Sequence, residues 1–316
     1  MLCFLFQIEA SASTPADSLT ILVTGGFRGK LNGCACPSAK RGGITRRATL
    51  MRQLFQQTNL LGVDCGQLLD LDPEGGRMRS ACAILSLGRM GTEVALVATR
   101  DLYYGVDFIK EIADSAEMEL VCANIVDELT GKSIFPMWVE LEHNGVKLAL
   151  TGLTQHFPHK RIPGMDSWMT VPLDSALREI RATVPSKTDL IILLTDLSES
   201  DLNDLIPTFP KLDIVLTSSR RVYTPSPIVV NSTLIVRPQP DGSFLEGIVI
   251  PNSGRNITSS RIITHPINAS IASDVEFEGW LKHCQNRQFR LRANVIGRVS
   301  NGRSIHMQKR LVGETH

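Results

Sequence analysis

The sequence has almost no excess of charge. Over 316 residues, 33 Lys and Arg stand against 32 Asp and Glu, a formal net charge of +1. A chain so balanced has no broad basic surface, which excludes bulk nucleic-acid binding. Cysteine is scarce: seven residues, Cys3, Cys34, Cys36, Cys65, Cys82, Cys122 and Cys284. That number is odd and too sparse for a disulfide scaffold. Cys82 and Cys122 sit in apolar runs and read as small core residues. No stretch reaches the ~18 apolar residues of a membrane span, so no transmembrane segment is expected. Internal repeats and low-complexity blocks are absent. So is a Walker loop ending in Gly-Lys-Ser/Thr. His283-Cys284 lacks the second cysteine that haem attachment needs.

What is present is ordinary globular composition, 43% hydrophobic and 21% charged. Short apolar runs alternate with helix-period segments. "LTILVTG" (19–25) reads as a strand ending in glycine. Ile44, Ala48, Met51, Leu54 and Phe55 then recur at helical spacing. Further strands are expected at 59–66, 92–99, 118–125, 188–196 and 212–219, and four more at 228–231, 233–237, 244–250 and 261–264. A hairpin is expected around His143-Asn144-Gly145, because Asn-Gly is a strong two-residue turn signal. "SACAILSLGRM" (80–90) is apolar nearly all round and reads as a buried helix. The first half alternates strand and helix, and the last third is mostly strand. Two mixed sheets with helices outside account for both. Residues 1–18 form a leader, read either as a clipped secretory signal without its basic region or as an unstructured segment. Residues 19–270 are expected to form the domain, and 271–316 a polar, basic extension, either a helix leading to a neighbour or a loosely ordered tail.

One stretch stands out, "TGGFRGKLNGCACPSAKRGGITRRATL" (24–50). A strand enters a glycine turn, and a second glycine pair opens an arginine-rich helix. It holds no Asp, Glu or His to grip a metal. Its neighbours in the chain place it in a wider pattern. "ILVTGGFRGKL", "GGITRRATLMRQL", "VDCGQLLD", "MGTEVALVATRDLYYGVDFI", "CANIVDELTGKSIFPMWVELEHNGVKLALTGLT", "DLIILLTDL" and "LDIVLTSSRR" follow one another in order. In that order the chain resembles the N-terminal catalytic domain of 5′-nucleotidases, a branch of the calcineurin-like metallophosphoesterases, from about Leu19 to Ile250. The resemblance implies an α/β fold, a four-layer αββα sandwich of two mixed β-sheets flanked by helices. It also implies a further C-terminal substrate domain, for which this sequence leaves no room.

The family's chemistry uses two divalent metals about 3.5–4 Å apart. Carried over residue by residue, its first Asp and His fall on Gly26 and Arg28. Its bridging Asp falls on Gln67, its Asn ligand on Thr99 and the adjacent catalytic His on Arg100. Its later His ligands fall on Asp196, Ser219 and Arg221. Gly offers no side-chain ligand and Arg stays protonated, so ordinary two-metal hydrolysis and its metal centre are not expected. Arg28, Arg100 and Arg221 instead suit an anion, since guanidinium pairs with phosphate or carboxylate oxygens. Gln67, Thr99, Asp196 and Ser219 complete that candidate site. The opposing reading is that Asp64, Asp101 and Asp196 neutralise the arginines internally.

Cys34 and Cys36 form a C-x-C loop, and Cys65 precedes Gly66-Gln67 on the neighbouring strand. "NGCACPSAKRGGITRRATL" resembles a branch of the family with a Cys-rich loop here. Three thiols suit one thiolate-bound soft metal, a redox pair or a loop-closing disulfide. The leading expectation is a 5′-nucleotidase-like protein with a degenerate two-metal site. It would bind a small anion, a nucleotide or a protein partner without hydrolysing it. A re-tooled hydrolase with a thiolate metal and a thiol redox or metal-handling protein stay open. The leader and the family together suggest a periplasmic or secreted protein.

Overall fold

The computed structural model describes residues 18–34, 41–56, 60–143, 145–156, 168–209, 211–219, 228–239, 242–251 and 257–286. Strands β1 (Ser18–Thr24), β2 (Leu60–Asp64), β3 (Thr92–Leu96) and β4 (Glu119–Val121) run parallel. Strand β13 (Phe244–Pro251) pairs antiparallel to β1, and β14 (Arg261–Pro266) closes that edge. The first sheet is therefore ordered β14-β13-β1-β2-β3-β4.

The second sheet contains β6 (Trp138–His143), β7 (Val146–Leu153), β9 (Leu190–Thr195), β10 (Ile214–Thr217), β11 (Ile228–Val230) and β12 (Thr233–Val236). Its order is β11-β12-β10-β9-β7-β6, with a parallel centre and antiparallel edges. The central strands of both sheets are continuous apolar runs because both their faces are covered.

Helices α1 (Ile44–Phe55), α2 (Gly76–Arg89), α3 (Val106–Ser115) and α6 (Val275–Asn286) share one core cluster with the first sheet. Helices α4 (Leu173–Ala182) and α5 (Glu199–Leu205) pack with Ile191, Leu193, Val215 and Ile235 on the outer face of the second. The two sheets meet closely between these layers: a Cβ at Gly152 on β7 would lie 2.6 Å from the Val121 carbonyl of β4. The expected αββα sandwich is present.

Three local readings differ. The strand expected over 118–125 stops at Val121. The chain turns through Asn124 and resumes as β5 (Ile125–Asp127), which pairs with β8 (Trp168–Thr170) in a separate two-stranded sheet. Asn124 enforces that turn: its side chain accepts from Thr154 N–H at 2.9 Å and donates to Thr154 O at 2.8 Å. Next, α6 lies in the segment assigned to a basic extension, yet it buries Phe277, Leu281 and Cys284 against the sandwich. Finally, Cys82 is not a free core residue. It forms a disulfide with Cys284, 202 positions away, stapling α2 to α6.

Candidate functional site

The parallel strands of both sheets end on one side of the molecule, where open α/β sheets present ligand-binding loops. Two of those loops are zipped together by backbone. Gly26, Arg28 and Gly29 donate N–H bonds to the carbonyls of Gly66, Gln67 and Leu68 at 2.9, 2.9 and 2.7 Å. The fit forces unusual dihedrals. Gly26 and Gly29 have φ of 65°, and the non-glycine residues Arg28 and Gln67 have φ of 52° and 61°. Each such non-glycine residue costs roughly 1–2 kcal/mol, so the surroundings must impose the conformation. Asp101, fully buried, supplies that constraint. Its carboxylate accepts from the amides of Gln67, Leu68, Leu69 and Ala98 at 2.9, 2.6, 3.2 and 3.1 Å. Burial pushes its pKa up to about 7, and the four amides oppose that rise. Gly29 has no alternative, because a Cβ there would stand 2.5 Å from Asp70 Cβ.

The residues expected at the site form a chain across both sheets. Arg28 Nη2 donates to Gln67 Oε1 at 2.6 Å. The Gln67 side chain approaches the Asp196 carboxylate closely enough to favour its charged form, while burial raises the pKa overall. Asp196 Oδ1 accepts from Thr154 Oγ1 at 2.9 Å and from Gln155 N–H at 3.0 Å. Thr99 N–H donates to Thr154 Oγ1 at 3.1 Å. Thr154 and Gln155 were not singled out from sequence; their position directly after β7 was the available signal. Arg100 Nε donates to Leu69 O at 3.3 Å. Ser219 follows β10 and anchors its amide on Thr217 Oγ1 at 3.2 Å, outside this chain of contacts. Arg221 and Cys36 lie outside the described residues.

Among the described residues, Asp64, Asp101 and Asp196 do not pair with Arg28 or Arg100. Asp64 is occupied by the Thr24 hydroxyl and by Gly66 N–H at 2.8 Å, and burial pushes it up to about 6. Asp101 is taken by amides and Asp196 by Thr154 and Gln155. Among the described residues neither Arg28 nor Arg100 makes an ion pair, and Arg28 Nε is buried without a partner. Asp70, whose carboxyl feels the Arg100 charge, is already bound to Arg79 at 2.6 Å. Partial burial would raise the Asp70 pKa, but the Arg79 contact holds it below the ordinary value.

Of the three thiols expected together, Cys36 lies outside the described residues. Cys34 is disulfide-bonded, with its partner outside them. Cys65 is free but fully buried, packed where Gly25 meets Ser218, and its carbonyl accepts from Ser218 Oγ at 2.8 Å. Burial, helped by the charges of Asp64 and Glu246, raises its pKa well above the ordinary value. The site does not fit a pair of divalent cations. Its described donors are an amide, hydroxyls, guanidinium groups and one carboxylate already engaged, and no three His, Cys, Asp or Glu residues gather among the described residues.

Beneath these loops lies a buried acid with a measurable consequence. Glu246 on β13 accepts from Gln239 N–H at 3.2 Å, and its Oε2 is buried without a partner. Burial pushes its pKa up to about 7 from an ordinary 4.5. A carboxyl raised on folding favours the folded state while protonated. Its contribution is complete below the unfolded pKa and is lost as pH rises through about 7. The melting temperature of the protein relative to Glu246→Gln should therefore fall between pH 5 and pH 8. Calorimetry of both proteins across that range checks it, and parallel curves would refute it.

Comparison with protein-family models finds no match, and comparison with curated proteins finds none. Solved structures do match. A 5′-nucleotidase precursor from Thermus thermophilus superposes with a TM-score of 0.68 at 13% identity, over 84% of this chain and 58% of that one. The sulfate thiohydrolase SoxB from Thermus thermophilus, in complex with glycerol, gives 0.70 at 16%, over 84% and 60%. The calcineurin-like phosphoesterase YfkN from Bacillus subtilis gives 0.63 at 18%, over 86% and 100%. The chain thus spans about three fifths of the first two structures. The chain shares the fold of these solved 5′-nucleotidase and phosphoesterase structures.

Proposed function

We propose that the strand-end site binds a small oxyanion, a phosphate or a nucleotide phosphate, without ordinary two-metal hydrolysis. One observation carries this reading: among the described residues Arg28 and Arg100 make no ion pair, while Asp64, Asp70, Asp101 and Asp196 are otherwise engaged. Left-handed dihedrals at Arg28 and Gln67 support it, since such strain collects at functional sites. The likeness to 5′-nucleotidases makes a nucleotide phosphate the first candidate.

Calorimetric titration with inorganic phosphate and with a nucleoside monophosphate tests the proposal. A charge-assisted bond is worth about 1.5–3 kcal/mol, so Arg28→Gln should weaken binding roughly 10- to 100-fold. Arg100→Gln should act in the same direction. With manganese or zinc supplied, turnover of a generic phosphoester should stay at the level of the protein-free blank. Metal-dependent turnover, or no anion binding by the unmutated protein, would overturn the reading.

We further propose that the protein resides in an oxidising compartment, the periplasm or the exterior. The Cys82–Cys284 disulfide and the disulfide of Cys34 support this, because reducing compartments rarely keep such bonds.

A further inference from the structure

We infer a second oxyanion site, independent of the first, at the head of the second sheet and centred on Arg237. The residue directly follows β12. Along that strand Ile235 faces the outer layer with α5, and Val236 faces the sandwich interior. Period-2 alternation puts Arg237 on the outer side with Ile235 and Pro238 on the inner side. Two contacts agree with this. Pro238 Cγ lies 3.6 Å from a Cβ built on Gly25, towards the first site, while Arg237 Nη2 points to Glu199, the first residue of α5.

The Arg237 side chain is only 9% exposed, yet it makes no hydrogen bond among the described residues. Its Nε is buried without a partner. Among the described residues its nearest acid, Glu199, forms a loose ion pair at 3.8 Å, beyond hydrogen-bond distance, and is itself 48% exposed. A guanidinium carries five N–H donors in a planar fork and does not deprotonate. Holding one this far from water with its Nε unpartnered among the described residues is unfavourable unless something else supplies an acceptor. An oxyanion does so with matching geometry, two oxygens meeting two N–H groups in one plane. Phosphate and carboxylate share this chemistry.

The test uses the Nε–Hε resonance of Arg237 in the nitrogen-labelled full chain, assigned through Arg237→Lys. Titration with inorganic phosphate, and separately with acetate, should shift that resonance saturably. The shift should persist in an Arg28→Gln/Arg100→Gln double variant, which removes the first site. Arg237→Lys keeps the charge but loses the fork, and should weaken the remaining anion binding at least tenfold. A resonance unmoved by both anions would overturn the second site while leaving the first untouched. A shift that vanishes in the double variant would assign Arg237 to the first site and equally overturn its independence. Preference between phosphate and acetate identifies the class of anion.

Discussion

Asp101→Ala should destabilise the protein by about 3–5 kcal/mol and abolish anion binding at the strand-end site with it. The carboxylate is fully buried and accepts four backbone amides, three from the loop that carries Gln67 and one from Ala98. Removing it strands four donors away from water, at about 1–3 kcal/mol each before the loop relaxes. Relaxation recovers part of that cost by releasing the loop. The loop then no longer holds Gln67 at a φ of 61°, nor offers carbonyls to Gly26, Arg28 and Gly29. Arg28 would leave the site as a consequence. For a chain of this size the melting temperature should fall on the order of 10 °C. Asp101→Asn should not rescue it, because the amide turns one of the two acceptor atoms into a donor facing donors. Thermal melts and phosphate titration of both variants check this. A melt within about 2 °C of the unmutated protein would show that the four amides find other acceptors.

The role of Asp101 also marks the limit of what the sequence made legible. The layers were readable because buried parallel strands are uninterrupted apolar runs, as in "LTILVTG" and "LIILLT". Arg28 and Arg100 were readable because they stand where a resemblance expects ligands. Asp101 was read only as a charge beside an arginine. Its actual partners are mostly backbone groups more than thirty positions away, and amides leave no mark on sequence. Arg237 was missed for a related reason. It ends an apolar strand, where a charged residue usually meets water, and only the packing of α5 shows that it does not. Arg221, which the resemblance favoured, lies outside the described residues.

Cysteine shows the same limit from the other side. Counting seven scattered residues argued against a disulfide framework, yet Cys82 and Cys284 are bonded across 202 positions. Spacing cannot reveal such a pair, because it exists only once α6 has folded back onto α2. That long loop is also why the bond matters. The chain-entropy argument gives about 5 kcal/mol for a loop of roughly two hundred residues, within a usual range of about 2–5 kcal/mol for native bonds. Reduction, or Cys82→Ala with Cys284→Ala, should therefore lower stability by several kcal/mol. The loss should fall first on α6, whose remaining anchors include Phe277, Leu281, the Asp274–Arg52 ion pair at 2.6 Å and Arg89 against Glu276 and Trp280. Limited proteolysis under reducing conditions should cut near α6 before the sandwich opens. Phosphate binding should survive that cut, because Arg28, Gln67 and Asp196 make no contact with α6 among the described residues. Identical melts with and without reductant would show that the bond contributes nothing, and would remove the main support for an oxidising compartment. A large drop with the anion site intact would separate the two features, the staple holding the C-terminal helix in place and the arginine-bearing loops doing the binding.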